Sequence, residues 1–201
     1  PVIDQSGKDC AQIIGAELVG TDSRNQAAYH VIGRPGLREG VFAFIGKDNE
    51  PAELVERMFN GECEVVAYDH QGLDVTDAAA VQSEIARLRP DVIVNCTGYN
   101  AVDLAEDRPV DALTLNAFAV RNRARAAEAA GAILVHYSSD FVFDGETDRP
   151  YTEEDRPNPR SAYAASKMLG EWFAEDAPQA YVLRVESLFG RVKDERPSKG
   201  T

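Results

Sequence analysis

The segment Ser161-Ala-Tyr-Ala-Ala-Ser-Lys167 sets Tyr163 and Lys167 four residues apart, so on a helix both side chains face the same way. An ammonium beside a phenol favours the phenolate, lowering the tyrosine pKa from about 10 and making the group a usable proton donor or acceptor. The same lysine can hold ribose hydroxyls. This spacing alone also arises by chance in exposed helices, so neighbouring segments decide its meaning. His136-Tyr-Ser-Ser-Asp140 puts two hydroxyls and a carboxylate at the end of a predicted strand. A hydroxyl there either hydrogen-bonds a substrate carbonyl beside the tyrosine or merely closes a turn. Asn95-Cys-Thr-Gly98 ends another strand with small residues, as close approach of a dinucleotide requires. Asp69 follows a third. It either accepts hydrogen bonds from an adenosine ribose 2′-hydroxyl or stands as an exposed turn residue.

These groups need a scaffold that brings strand ends together, and the hydrophobic pattern supplies one. Short apolar, β-branched runs predict strands over 41–45, 64–68, 91–95, 132–137 and 181–185. Between them, helical patterns cover 52–60, 110–130 and 161–175, with a further helix starting at Asp77 as N-cap. That helix carries Val81, Ile85 and Leu88 on one face and closes at Pro90, while Gly131 stops the long helix. Strand and helix in alternation imply an α/β fold: a Rossmann-type doubly wound parallel sheet with helices on both faces and right-handed crossovers. Ligands bind such sheets beyond the carboxyl ends of the strands. The dinucleotide-binding domain is expected over 41–190. Residues 1–40, with a hairpin pattern over 11–19 and 27–32, form an extension with no assigned role. Residues 191–201 read as a tail opening a substrate-binding segment.

Composition narrows the partners. The 201 residues include 34 acidic and 21 basic side chains, a formal charge of −13, which disfavours binding to duplex nucleic acid. No apolar run reaches membrane-spanning length and the N-terminus has no secretory pattern. Three cysteines without a CxxC pair suit a reducing cytoplasm. His30, His70 and His136 are scattered, so no metal site is expected. Trp172 and Phe173 read as core packing, and the Ala/Arg/Glu run 121–130 as a solvated helix face.

From Val41 to Gly190 the chain resembles the extended short-chain dehydrogenase/reductases, and within them the dTDP-4-dehydrorhamnose reductase group. The resemblance rests on Leu73-Asp-Val-Thr-Asp77, Arg89-Pro-Asp-Val-Ile-Val-Asn95, Ala101-Val-Asp-Leu-Ala-Glu106, Leu115-Asn-Ala117 and His136-Tyr-Ser-Ser-Asp140 with Val142-Phe-Asp-Gly145. It continues through Pro150-Tyr-Thr-Glu-Glu-Asp155 and Tyr163-Ala-Ala-Ser-Lys167 followed by Gly170-Glu171. Ordered motifs at family-like spacing are far more specific than any one alone.

The resemblance implies a reductase of a nucleotide-linked 4-keto sugar using NADH or NADPH. Tyr163 would protonate the keto oxygen, Lys167 would depress its pKa and hold the nicotinamide ribose, Ser139 would polarise the carbonyl, and Asp140 would neighbour the sugar. Gly46 would open the phosphate loop and Asp74 and Val75 would meet the adenine. Cys96, Thr97 and Gly98 would form the strand-end cofactor contact, with Tyr137 lining the nicotinamide end. A homodimer through helices flanking the sheet is also compatible with it. Three departures mark this chain. Gly46-Lys-Asp-Asn-Glu-Pro-Ala52 keeps only the first glycine of the family loop; Phe141 replaces a tyrosine and Ser187 falls where the family has tryptophan; and the sequence stops soon after Leu188-Phe-Gly190, where the resemblance implies segments that close over the nucleotide-sugar. Two alternatives share the fold: a regulatory subunit such as the β subunit of methionine adenosyltransferase, and a nucleotide-sugar epimerase or dehydratase.

Overall fold

The computed structural model describes residues 41–45, 64–68 and 70–186. Its strands are β1 (Val41–Ile45), β2 (Glu64–Tyr68), β3 (Val92–Asn95), β4 (Ile133–Ser139) and β5 (Ala180–Val185). They form one parallel sheet in the order β2-β1-β3-β4-β5. After β1 the chain moves to one side for β2, then returns to the other side for β3. This reversal makes the β1/β3 boundary the topological switch point, where the connections leave a crevice at the strand carboxyl ends. Every residue of β3 is buried, as a strand covered on both faces requires.

The helices are α1 (Ala78–Leu88), α2 (Leu104–Asp107), α3 (Pro109–Leu113), α4 (Ala119–Ala130) and α5 (Ala162–Ala174). Asp77 caps α1 as expected, accepting from the amides of Ala79 (2.9 Å) and Ala80 (3.0 Å), which satisfies two otherwise unpaired donors. Arg89, held before Pro90, closes α1 at φ 50°, and Gly131 closes α4 at φ 68°. The glycine suits that left-handed turn because it has no Cβ to clash. Helices α1, α4 and α5 pack side by side. Val81 and Ile85 of α1 meet Ile93, Leu134 and the Val120, Ala124, Ala127 face of α4 in one core. Each large aliphatic side chain so buried contributes roughly 1.5–3 kcal/mol.

The structure corrects four expectations. The helix predicted over 110–130 is broken: α3 starts at Pro109, five residues of π-helix (Thr114–Phe118) follow, and α4 begins only at Ala119. Proline lacks the amide that would continue α2, so it opens a new helix instead. Strand β4 runs on to Ser139, so Ser138 and Ser139 belong to the sheet. Trp172 is 57% exposed and not core, whereas Phe173 packs against Phe118 and beneath Arg121. The run 121–130 is solvated on one side only: Arg125, Glu128 and Ala129 are exposed, whereas Arg123, Ala124, Ala126 and Ala127 are buried. The hairpin pattern of 1–40, the predicted helix 52–60, Gly46, Asp69, Ser187 and the tail 191–201 lie outside the described residues.

Candidate active site

Helix α5 is placed from both ends of its first turn. Ser161 accepts from the Ala164 amide (3.1 Å), and Glu106, at the end of α2, accepts from the Ala162 amide (2.7 Å). An acidic group there also complements the positive helix end. The buried stripe Tyr163, Lys167, Gly170, Glu171 and Ala174 then faces the sheet. Its approach is close: a Cβ on Gly170 would stand 2.1 Å from the Asn116 carbonyl oxygen, so only glycine fits.

Tyr163 and Lys167 reach a cleft of ≈ 360 Å³ at the carboxyl ends of β3, β4 and β5. Cys96, Thr97 and Gly98 form one wall, Tyr137, Ser138, Ser139 and Asp140 the next, and Val185 and Glu186 the far side. The structure thus gathers eight candidate site residues of the sequence, Ser138 being the addition. Asp74 and Val75 stand apart. The Asp74 carboxylate accepts from the Thr76 amide (2.8 Å) and hydroxyl (2.7 Å), Val75 is buried in the core, and neither lines the cleft.

Lys167, 4% exposed, donates to the Tyr137 carbonyl at 2.6 Å. Burial pulls its pKa from 10.5 to about 8, with Arg123 adding to the depression and Glu171 opposing it. Tyr163 moves opposite to expectation: burial raises its pKa above 10, Asp140 raises it further, and a hydrogen bond with Ser139 works against them. Burial disfavours the charged phenolate, so the phenol keeps its proton at neutral pH. Ser139 donates to Asp140 (3.0 Å) and accepts from the Phe141 amide (3.2 Å), which begins a 3₁₀ turn, Asp140–Val142. The Phe141 ring, 48% exposed, meets the Tyr163 ring edge-on with centroids 6.0 Å apart. Burial pushes the Cys96 thiol up to about 12, which disfavours its thiolate on the cleft wall.

Two residues that the sequence motifs contain, Asn116 in Leu115-Asn-Ala117 and Glu171 in Gly170-Glu171, had no role assigned to them. Asn116, in the π-helix, accepts from the Tyr99 amide (2.7 Å) and donates to the Tyr99 carbonyl (3.1 Å) and to Ser166 Oγ (2.9 Å). Ser166 in turn donates to the Tyr163 carbonyl (2.6 Å), so one carboxamide ties the loop after β3 to the helix of the candidate acid. Glu171 pairs with Arg184 (2.8 Å), whose guanidinium lies 5.0 Å from the Phe143 ring centroid, and Phe143 stacks on Tyr151. The available signal was a polar residue inside an otherwise apolar helical face. Among the described residues there is no metal-binding cluster and no helix long and apolar enough to cross a membrane.

A Rossmann-type parallel sheet with a tyrosine and lysine one helical turn apart over a cleft at its strand carboxyl ends defines the class of extended short-chain dehydrogenase/reductases. The profile of the RmlD substrate binding domain matches residues 45–198, and the chain belongs to that family. A dTDP-4-dehydrorhamnose reductase of Streptomyces griseus is 41% identical over 156 residues, covering 77% of this chain and 50% of that one. Methionine adenosyltransferase 2 subunit beta of Xenopus tropicalis is 41% identical over 122 residues, covering 60% and 36%. In the solved structures, a dTDP-4-dehydrorhamnose reductase of Bacillus anthracis in complex with NADP superposes with a TM-score of 0.72. It is 31% identical and covers 77% of this chain and 56% of that chain. The chain spans about half the length, or less, of the curated relatives it matches.

Proposed function

We propose that the protein is an NAD(P)H-dependent reductase of a nucleotide-linked 4-keto sugar, and the observation that carries this is the convergence of Tyr163, Lys167 and Ser139 on one cleft. The site fits a dinucleotide. The Ser138 hydroxyl on its wall is buried without a hydrogen-bond partner among the described residues, and Lys167 spends one of its donors on Tyr137, leaving others for ribose hydroxyls. When bound, the reduced nicotinamide supplies the hydride that arrives at the keto carbon. Tyr163 gives its proton to the keto oxygen, and its raised pKa keeps that proton in place at neutral pH, the state reduction needs. Ser139 donates to the same oxygen once its hydrogen turns from Asp140, and Lys167 orients the ribose. Cys96, Thr97, Gly98 and Tyr137 line the cofactor path, with Asp140 beside the sugar. Gly46, Asp69, Asp74 and Val75 would serve the phosphate and adenosine ends. A cytoplasmic protein acting as a homodimer, with a nucleotide-sugar as its small-molecule partner, completes the reading.

The test is oxidation of NADH and NADPH by the purified protein with a dTDP-4-keto-6-deoxyhexose. Tyr163→Phe should cost about 10²–10⁴-fold in turnover with cofactor binding retained. Wild-type protein that oxidises neither cofactor would overturn the proposal. One observation favours a second reading, a regulatory subunit: the likeness to methionine adenosyltransferase 2 subunit beta beside a loop that keeps one glycine of three. Co-purification with a catalytic partner and binding of cofactor without turnover would select it.

A further inference from the structure

Asn95, the last residue of β3, stands beside His136 in the middle of β4; both are fully buried and neither lines the cleft. Asn95 Oδ1 accepts from the Thr97 amide at 3.1 Å and the Thr97 hydroxyl at 2.7 Å. A backbone amide can only donate, so this end of the carboxamide is the oxygen. The other end, Nδ2, therefore faces His136 Nδ1 at 2.7 Å and donates to it. That nitrogen must be an unprotonated acceptor, which puts the ring proton on Nε2. An imidazolium would set two donors face to face. Burial and the cations Lys167 of α5 and Arg123 of α4 also hold the ring neutral. Nε2 has no hydrogen-bond partner among the described residues and lies under Gly170, whose Cβ, if present, would stand 3.2 Å from it.

We propose that His136, as the Nε2–H tautomer, and Asn95 form a positioning pair: the ring holds the carboxamide, and the carboxamide sets the turn at Thr97 that shapes the cofactor wall of the cleft. This rests on reading the cleft as a dinucleotide site. The physical basis is a chain of single-choice hydrogen bonds: the amide fixes the oxygen, the oxygen fixes Nδ2, and Nδ2 fixes the tautomer. A side-chain oxygen bonded to the amide two residues on is a turn that stiffens the backbone locally, and a fully desolvated anchor holds it more firmly than one competing with water.

The test has two arms. In ¹⁵N-histidine-labelled wild-type protein, NMR should find His136 protonated at Nε2 and bare at Nδ1 throughout the neutral range. A proton on Nδ1 would overturn the proposal. In NADPH titrations His136→Leu should bind about tenfold more weakly, the size of one lost buried hydrogen bond, while turnover at saturating cofactor stays within about threefold. His136→Asn, whose Oδ1 can accept from Asn95, should recover most of that affinity. Unchanged affinity in His136→Leu would overturn the positioning role. Because the tautomer is read on unmutated protein, the proposal stays falsifiable if His136→Leu does not fold. Wild-type protein that binds no NADPH would instead overturn the reading of the cleft, and the role assigned to Thr97 with it.

Discussion

Helices α4 and α5 each bury a cation against the sheet, with opposite provision for it. On α5, Lys167 is 4% exposed, donates to the Tyr137 carbonyl and has Glu171 one turn further along the same face. On α4, Arg123 is fully buried and none of Nε, Nη1 and Nη2 has a hydrogen-bond partner among the described residues. Burial acts on both in the same sense, pulling Lys167 to about 8 and Arg123 to about 9. The difference lies in what each one faces. Lys167 opens onto the cleft, where a ligand's oxygens can use the charge, whereas Arg123 lies outside the cleft lining. A desolvated charge is therefore worth keeping where chemistry uses it; elsewhere it weakens the fold.

The sharpest way to break this comparison is Arg123→Leu. Replacing a buried, unpaired cation with an apolar side chain should raise unfolding free energy by about 1–4 kcal/mol, read from denaturant midpoints, with the cofactor affinity unchanged. Loss of stability would mean that the guanidinium has a partner and that the two helices are alike after all. Gly170→Ala sharpens the α5 side. Its methyl would press on the Asn116 carbonyl, and overpacking of this kind should cost about 1–3 kcal/mol, with the thermal midpoint falling to match.

The burial of Lys167 itself is read in pH. Lys167 titrates near 10.5 when unfolded and near 8 in the fold, so between those values the unfolded chain binds more protons, and stability rises with pH. Wild-type protein should thus gain stability relative to Lys167→Met across that window and hold a constant difference below it. A constant difference throughout would show that the lysine is not desolvated.

The strand runs, the Asp77 and Gly131 caps and the alignment of Tyr163 with Lys167 were legible because each depends on neighbours within one or two helical turns. Backbone sterics and the 3.6-residue period act at that range. The π-helix at Thr114–Phe118 was not. It accommodates Asn116, whose partners Tyr99 and Ser166 lie 17 and 50 residues away, and no local pattern encodes such a pairing. Arg123 was misread for a related reason. Its composition marks it as solvent-facing, but its place on the Val120, Ala124, Ala127 face of α4 commits it to the core.

The amino-acid sequence alone therefore determined the parallel α/β order, the family resemblance and which residue types stand ready for proton transfer. Only the tertiary structure decided how those groups are tuned. It turned the Lys167 ammonium to the Tyr137 carbonyl, left the Tyr163 phenol protonated and tied Asn95 to His136. Periodicity is a property of consecutive residues, whereas pKa and tautomer are set by what burial removes and which distant partners it brings within hydrogen-bond reach.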